Sequence, residues 1–444
     1  MSLLLPALLL SAAFDGDAAL RHASALAALG PHPLGSPRGA FAAEYVEAQF
    51  RQAGLDEVRR QAFSFRGASG ANVIGVLRAA GPEIVVVGAH HDTVAGSPGA
   101  YDDGGGIGVL IEAARALAQS RTRSRTLLFV SFDGEEERRG DGGPPGSRTF
   151  VESLGPERTH VVAALIVEMC GWTGGTPVLR AVPYPDPTRP GHYVIAPGWA
   201  IQAALDGARS AGAPVALGDP LYGWFYQPVI RTFRRPRYTD DRPFLQAGVP
   251  ALSTSDSTFS TAYPWQHDPG DTADKLDADS LARMGRAVVG IVGSVEQAPR
   301  GPAVDPSWYV AFGRVIGGGT LLAAGLLALV PGLLRALASG GFAFAVRVLQ
   351  ALLTLVLLWR HPVPALWVLL LPSLVTAVTR RWWASLPALA PAIGLAAVGV
   401  VGWQRGTLRV WLRPAEILIA GFALALLWVG RPGKPARRTR RKKK

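Results

Sequence analysis

The feature that most restricts this chain is a set of short, nearly unbroken apolar runs, each closed by side chains able to bind a metal. Ile84–Gly88 leads into His90, His91 and Asp92, Leu127–Phe132 into Asp133, Glu135 and Glu136, and Ala164–Val167 into Glu168. Short continuous apolar runs are expected of strands buried on both faces. Val249–Thr254 reads as a fourth strand, and Ile107–Gln119 has the apolar spacing of an amphipathic helix. Strand and helix patterns in alternation predict an α/β layered domain with a mixed, mainly parallel central sheet. In an open sheet of that kind, ligands bind beyond the carboxyl ends of the strands. Three strands that end on carboxylates and imidazoles therefore predict a polar site at one edge.

Cys170 is the only cysteine. It excludes an internal disulfide and a cysteine-rich zinc finger, so any metal site must be built from His, Asp and Glu. The net charge of +12 at first suggests a nucleic-acid partner, but residues 431–444 carry nine Lys or Arg and no acid, which leaves +3 for the remainder. A nearly balanced chain with a basic end behind an apolar stretch is a membrane-topology pattern, and no nucleic-acid binding is expected.

Beyond Asp305 the only acidic residue is Glu416. Five apolar segments follow, at roughly 315–334, 341–359, 362–378, 383–403 and 414–430, each near the ~20 residues a spanning helix needs. Arg347 interrupts the second, so four or five helices are expected within 307–430. Trp308, Trp359, Trp382, Trp383, Trp403, Trp411 and Trp428 stand at segment ends, as interfacial aromatics do. These segments predict an all-α transmembrane region after a linker at 299–306, with a basic cytoplasmic tail at 431–444 and the bilayer as a partner. Five spans would place residues 14–298 outside the membrane and four would place them in the cytoplasm. Five is preferred, because residues 1–13 form an apolar stretch ending Ser11-Ala12-Ala13, compatible with signal-peptide cleavage although the charged start is missing. Arg380 and Arg381 agree with that topology; Arg405, Arg409 and Arg413 do not.

Zinc accepts imidazole nitrogen and carboxylate oxygen, and a catalytic site leaves room for water. A pair of ions needs a shared carboxylate and terminal ligands on each side. The glycine-rich turn from Ser97 to Gly106 can bring Asp102 back over the strand ends. A serine nucleophile at Ser97 fails on chemistry: the residue after a nucleophile in a Gly-x-Ser-x-Gly elbow must donate its N–H, and Pro98 has none.

In order along the chain stand AHHD at 89–92, PGAYDDGGG at 98–106, FDGEE at 132–136, VEMCG at 167–171 and HDPGDTADKL at 267–276. With the supporting stretch TDDRPFLQAGVPA at 239–251, this set resembles the M28 zinc peptidases, aminopeptidase-like enzymes with a co-catalytic zinc pair. The resemblance covers roughly residues 18–297. It implies a three-layer zinc-exopeptidase domain at 14–298 and two Zn2+ per chain. His90, Asp102 and Glu168 would hold one ion; Asp102, Glu136 and His267 would hold the other, with Asp102 shared. It makes Glu135 the general base and Asp92 the carboxylate that orients the His90 ring. A peptide or small aminoacyl substrate is expected. A glutaminyl-cyclase-like aminoacyltransferase and a non-catalytic binding module on the same fold are the alternatives.

Three departures from the family pattern stand out. The stretch after Glu136 is longer than usual, Glu168 stands where many members have Asp, and Asp241 replaces the usual His after Asp240. Plainer readings hold for the rest. His91 is a polar neighbour on the opposite strand face. Asp103, Asp141, Asp271 and Asp274 are turn or capping residues, with Asp271 also a candidate brace for His267. His22, His32, His160, His192 and His361 are ordinary, Cys170 is a buried thiol, and Trp224, Phe225 and Tyr226 either line a pocket or pack.

Overall fold

The expected strands join in one sheet. The computed structural model describes residues 14–120, 122–137, 143–182, 184–189, 193–217, 239–256, 263–301, 308–311 and 314–317. In chain order the elements are α1 (Gly16–Ala27), α2 (Pro37–Gln52), β1 (Glu57–Phe65), β2 (Ala68–Leu77), β3 (Ile84–His90), α3 (Gly105–Ala118), β4 (Thr126–Phe132), α4 (Pro145–Ser153), β5 (Val161–Val167), β6 (Val178–Arg180), β7 (Tyr184–Pro185), β8 (Tyr193–Val194), α5 (Gly198–Ser210), β9 (Ala216–Leu217), α6 (Asp241–Gln246), β10 (Ala251–Ser255), α7 (Ala278–Gln297), β11 (Trp308–Ala311) and β12 (Arg314–Gly317). Eight strands form the main sheet in the order β1-β2-β4-β3-β5-β10-β6-β9. Its centre, β4-β3-β5-β10, is parallel; β1, β2 and β6 pair antiparallel with their inner neighbours.

Both sheet faces are covered. Val86, Val130, Phe132, Ala164 and Ile166 pack with Phe150 of α4 and Phe244 of α6 in one core. Residues of the other parity, Val85, Val87, Phe129 and Leu165, are 3% exposed or less, although alternate side chains of a strand point to opposite faces. This double burial is why the runs are continuous in sequence. The helices begin where local chemistry permits. Asp15, Ser36 and Asp277 cap α1, α2 and α7 by accepting N–H bonds at 2.9, 3.0 and 2.7 Å. Pro37 takes the first turn of α2, where its missing N–H costs nothing.

The start of α3 is pressed against neighbouring backbone. A Cβ on Gly105 would lie 2.0 Å from the Cys170 carbonyl oxygen, and one on Gly108 2.3 Å from that of Ala19. Only glycine permits this approach, which carries the Asp102 turn to the end of β5.

Residues 1–226 with 236–315 form one compact unit, and 227–235 with 316–444 another. Among the described residues no helix is long and apolar enough to cross a membrane. The part of 307–430 that is described, β11 with β12, is a two-stranded sheet and not the expected helix, so the start of the segment drawn at 315–334 is corrected. Aromatic and β-branched residues (Trp308, Tyr309, Val310, Val315, Ile316) favour extended backbone. The rest of the expected transmembrane region, the basic tail, the stretch 1–13, and Asp141, His192, Trp224, Phe225, Tyr226 and His361 lie outside the described residues.

Candidate metal centre

Because β4, β3, β5 and β10 run parallel, their carboxyl ends share an edge. His90 is the last residue of β3. Glu168 follows β5, and its N–H donates to the Thr254 carbonyl on β10 at 2.9 Å. Glu135 and Glu136 follow β4 through Gly134, whose φ of 82° is left-handed. Asp102 comes from the turn Ala100–Gly104 ahead of α3. His267 arrives from a distant loop with φ of 62°, a conformation uncommon for a residue bearing Cβ.

Asp102 stands between the two histidines. Its Oδ1 lies 3.3 Å from His90 Nε2 and its Oδ2 3.3 Å from His267 Nε2. His267 Nε2 is also 2.8 Å from Glu136 Oε1. Asp102, Glu136 and His267 each offer one ligand atom within 4.8 Å of the others. Glu168 presents Oε2 to Arg180 Nη1 at 3.4 Å, while its Oε1 is buried with no hydrogen-bond partner among the described residues.

Four other carboxylates hold this arrangement. Asp92 accepts the N–H of Glu135 at 2.9 Å on one oxygen and that of Glu136 at 3.0 Å on the other. It meets the His90 ring chiefly through its own carbonyl, 3.0 Å from Nδ1, with the carboxylate at 3.5 Å. Asp103 ties three segments by accepting N–H bonds from Met169 (2.9 Å), Gly106 (3.0 Å) and His90 (3.4 Å). Asp271 accepts from the N–H of Tyr101 (2.8 Å) and Asp102 (3.2 Å) and from the Tyr263 hydroxyl (2.9 Å). It therefore braces the Asp102 turn, and no described bond joins it to His267. Asp256 accepts from the Tyr101 hydroxyl and the N–H groups of Gly171 and Trp172 at 2.5, 2.7 and 3.1 Å.

Burial and crowding shape the charge. Burial raises the Glu135 carboxyl well above its ordinary range, with Glu136 and Glu168 adding to the rise and His90 opposing it. Burial likewise pushes Glu168 up to about 8; Arg180 opposes this, and Asp241 and Asp240 reinforce it. Burial alone would depress His90, but Asp102 and Asp92 outweigh it and hold the ring well above its usual value. Asp102 and Glu136 carry His267 up to about 9. Asp102 is held below the carboxylate range because His267 and His90 overcome its burial. Carboxylates this buried and this close are costly to ionise together unless positive charge lies among them. Glu168 Oε1 and both oxygens of Asp240 are buried without a partner among the described residues. A donor set of imidazole nitrogen and carboxylate oxygen, with an orphaned oxygen in its midst, fits zinc.

Every residue expected at the site, His90, Asp92, Asp102, Glu135, Glu136, Glu168 and His267, reaches this edge. Asp103 goes beyond its sequence reading, and Asp256 is a residue that the sequence reading missed. Asp103 is a cross-link where a turn residue was expected, and Asp256 closes a fourth parallel strand on an acid, the same signal as the other three. Arg180 carried no motif; its one trace is a charge inside the apolar stretch Pro177–Pro183. His91 points away, its Nδ1 2.8 Å from Ser131 Oγ, and burial lowers it to about 3, so it is a neutral packing residue.

A mixed α/β sheet with imidazole and carboxylate groups gathered at the carboxyl ends of its parallel strands is a domain like those of zinc aminopeptidases. Residues 72–292 match the model of peptidase family M28, and over them the chain is zinc-aminopeptidase-like. It is 25% identical over 228 residues to the "Probable leucine aminopeptidase" of Arthroderma benhamiae, covering 47% of this chain and 53% of that protein. The chain thus spans about half the length of that relative. The structure of BSAP, a zinc aminopeptidase from Bacillus subtilis, superposes with TM-score 0.50 at 17% identity, covering 63% of this chain and 95% of that one. Glutaminyl cyclase from Porphyromonas gingivalis superposes with TM-score 0.50 at 21% identity, covering 63% and 98%. At such identities the two structures share the fold alone, and the chemistry must be argued from residues.

Proposed function

We propose that this chain is a zinc-dependent exopeptidase that removes residues from the amino end of peptide or small aminoacyl substrates. His90, Asp102 and Glu168 would hold one ion, and Asp102, Glu136 and His267 the second. The observation that carries the reading is Asp102 offering one oxygen toward each histidine at 3.3 Å, the disposition a shared carboxylate requires. Zinc bound there supplies Lewis acidity, which eases ionisation of water and polarises a carbonyl.

The chain's own residues handle the proton. Glu135 lies beside the proposed ligands with its backbone pinned by Asp92, and burial raises the proton affinity of its carboxyl. It takes a proton from water as the water oxygen bonds to the scissile carbonyl carbon. It returns that proton to the departing amine as the C–N bond breaks. Asp92 positions both Glu135 and Glu136, so base and ligand move together. By composition, the segments from 318 to 430 would anchor the chain in a bilayer, with residues 14–298 on the outer side and the basic tail in the cytoplasm.

The test is to assay the full chain on aminoacyl p-nitroanilides and on peptides with N-terminal glutamine, with and without chelator, alongside zinc per chain. Zinc-dependent release of nitroaniline supports the reading. Cyclisation of glutamine peptides without aminoacyl hydrolysis would establish the aminoacyltransferase instead, and turnover indifferent to chelator would sink both.

A further inference from the structure

Arg180 ends β6, two strands from Glu168. It registers with Ser253 of β10, which registers with Ile166 of β5. Its side chain is 7% exposed and that of Glu168 2%. A guanidinium has no neutral form in a protein, so such burial is stable only with anionic partners held around it. Asp241 and Asp256 also feel its charge. Both already have donors of their own, however: Asp241 takes the Tyr184 hydroxyl at 2.6 Å and the Thr239 hydroxyl, and Asp256 the three bonds given above. Glu168 is different. Its Oε2 faces Arg180 at 3.4 Å, and its Oε1 is buried with no bond partner among the described residues. A separation of 3.4 Å is long for such a bond, so charge and burial hold the pair more than close contact does.

We propose that Arg180 is a positioning residue that pins Oε2 of Glu168 and leaves Oε1 as the one oxygen offered to the ion shared with His90 and Asp102. This rests on the two-ion reading above. A ligand with both oxygens free can swing between one- and two-point binding, whereas one held from behind keeps a single geometry. Groups that orient metal ligands in this way typically change affinity about 10–100-fold when removed.

The experiment measures zinc per full chain after dialysis, and zinc affinity by competition with a chromophoric chelator. Wild type is expected to hold two ions. R180M should keep one and bind the other at least tenfold more weakly, and R180K, which can restore a single N–H contact, should recover most of the loss. E168Q should also fall to one ion, and adding R180M to it should cause no further loss. That double variant removes both partners of the buried pair, so it carries the test even if R180M alone does not fold. Two ions at wild-type affinity in R180M, or a further loss in the double variant, would overturn the role of Arg180. A wild-type chain holding one ion would overturn the two-ion reading, and this proposal with it.

Discussion

Asp92→Asn separates positioning from ligation, because Asp92 is not assigned to either ion. The wild-type carboxylate takes one N–H from Glu135 on Oδ1 and one from Glu136 on Oδ2, at 2.9 and 3.0 Å, in full burial. Asparagine keeps the shape but turns an NH2 group toward one of those donors. One bond to a charged acceptor is lost, about 1.5–3 kcal/mol, and a buried N–H is left unmet at about 1–3 kcal/mol. Some of this is returned because a buried charge disappears, so we expect a net loss of about 2–3 kcal/mol. In a domain of this size that lowers the melting temperature by roughly 4–8 °C. The larger effect falls on turnover. Glu135 and Glu136 hang from the bonds that Asp92 accepts, and a shift of about 1 Å in a reacting group can cost about 100-fold in rate. The assay pairs scanning calorimetry with kcat on a leucine p-nitroanilide, and zinc is counted to show that both ions stay. A variant with wild-type kcat and melting temperature would refute the claim that Asp92 positions the base.

Glu135→Gln should keep zinc while kcat falls by about 100- to 10,000-fold, the usual contribution of a general base; zinc counting beside turnover checks this, and wild-type kcat would remove Glu135 from its role. Asp271→Ala removes three accepted bonds at the Asp102 turn and should cost about 2–4 kcal/mol, seen as a lower denaturation midpoint and faster zinc loss on dialysis; an unchanged midpoint would contradict the bracing role. Stripped of metal, the fold should lose stability as pH rises. Glu168 at about 8 and His267 at about 9 both bind protons more tightly folded than unfolded. Their contribution is complete below the unfolded values, near 4.5 and 6.5, and is lost as pH climbs through 8 and 9. Melting temperatures of chelated protein from pH 5 to 9.5 should therefore fall, with zinc reversing the fall near neutrality. A flat or rising profile would show that these groups are not as crowded as the structure places them.

The centre of the sheet was legible because burial on both faces leaves a continuous apolar run, and β3, β4, β5 and β10 all show one. The proposed ligands were legible because each follows such a run or sits in a motif with a chemical reason for its residue types. The bracing acids were less so. Asp103 looks like any aspartate in a glycine-rich turn until β5 brings Met169, 66 residues away, to its side chain. Arg180 depends on an encounter with Glu168 across β10 that no local pattern encodes. Val315–Gly317, expected to open a helix, lies in a strand, because a window of apolar residues does not tell helix from strand when β-branched residues and glycines share it.

The bond from the Tyr101 N–H to Asp271 joins residues 170 apart along the chain, and it orders the events of synthesis. Asp102 and Glu136 leave the ribosome well before His267, so a growing chain can form its central strands while its metal-binding edge is still missing a side. Closing so long a loop is slow and comes late. A nascent or truncated chain ending before residue 267 would therefore be folded in part yet unable to complete its centre. The proposed hydrolytic activity would be withheld until almost the whole domain had been made.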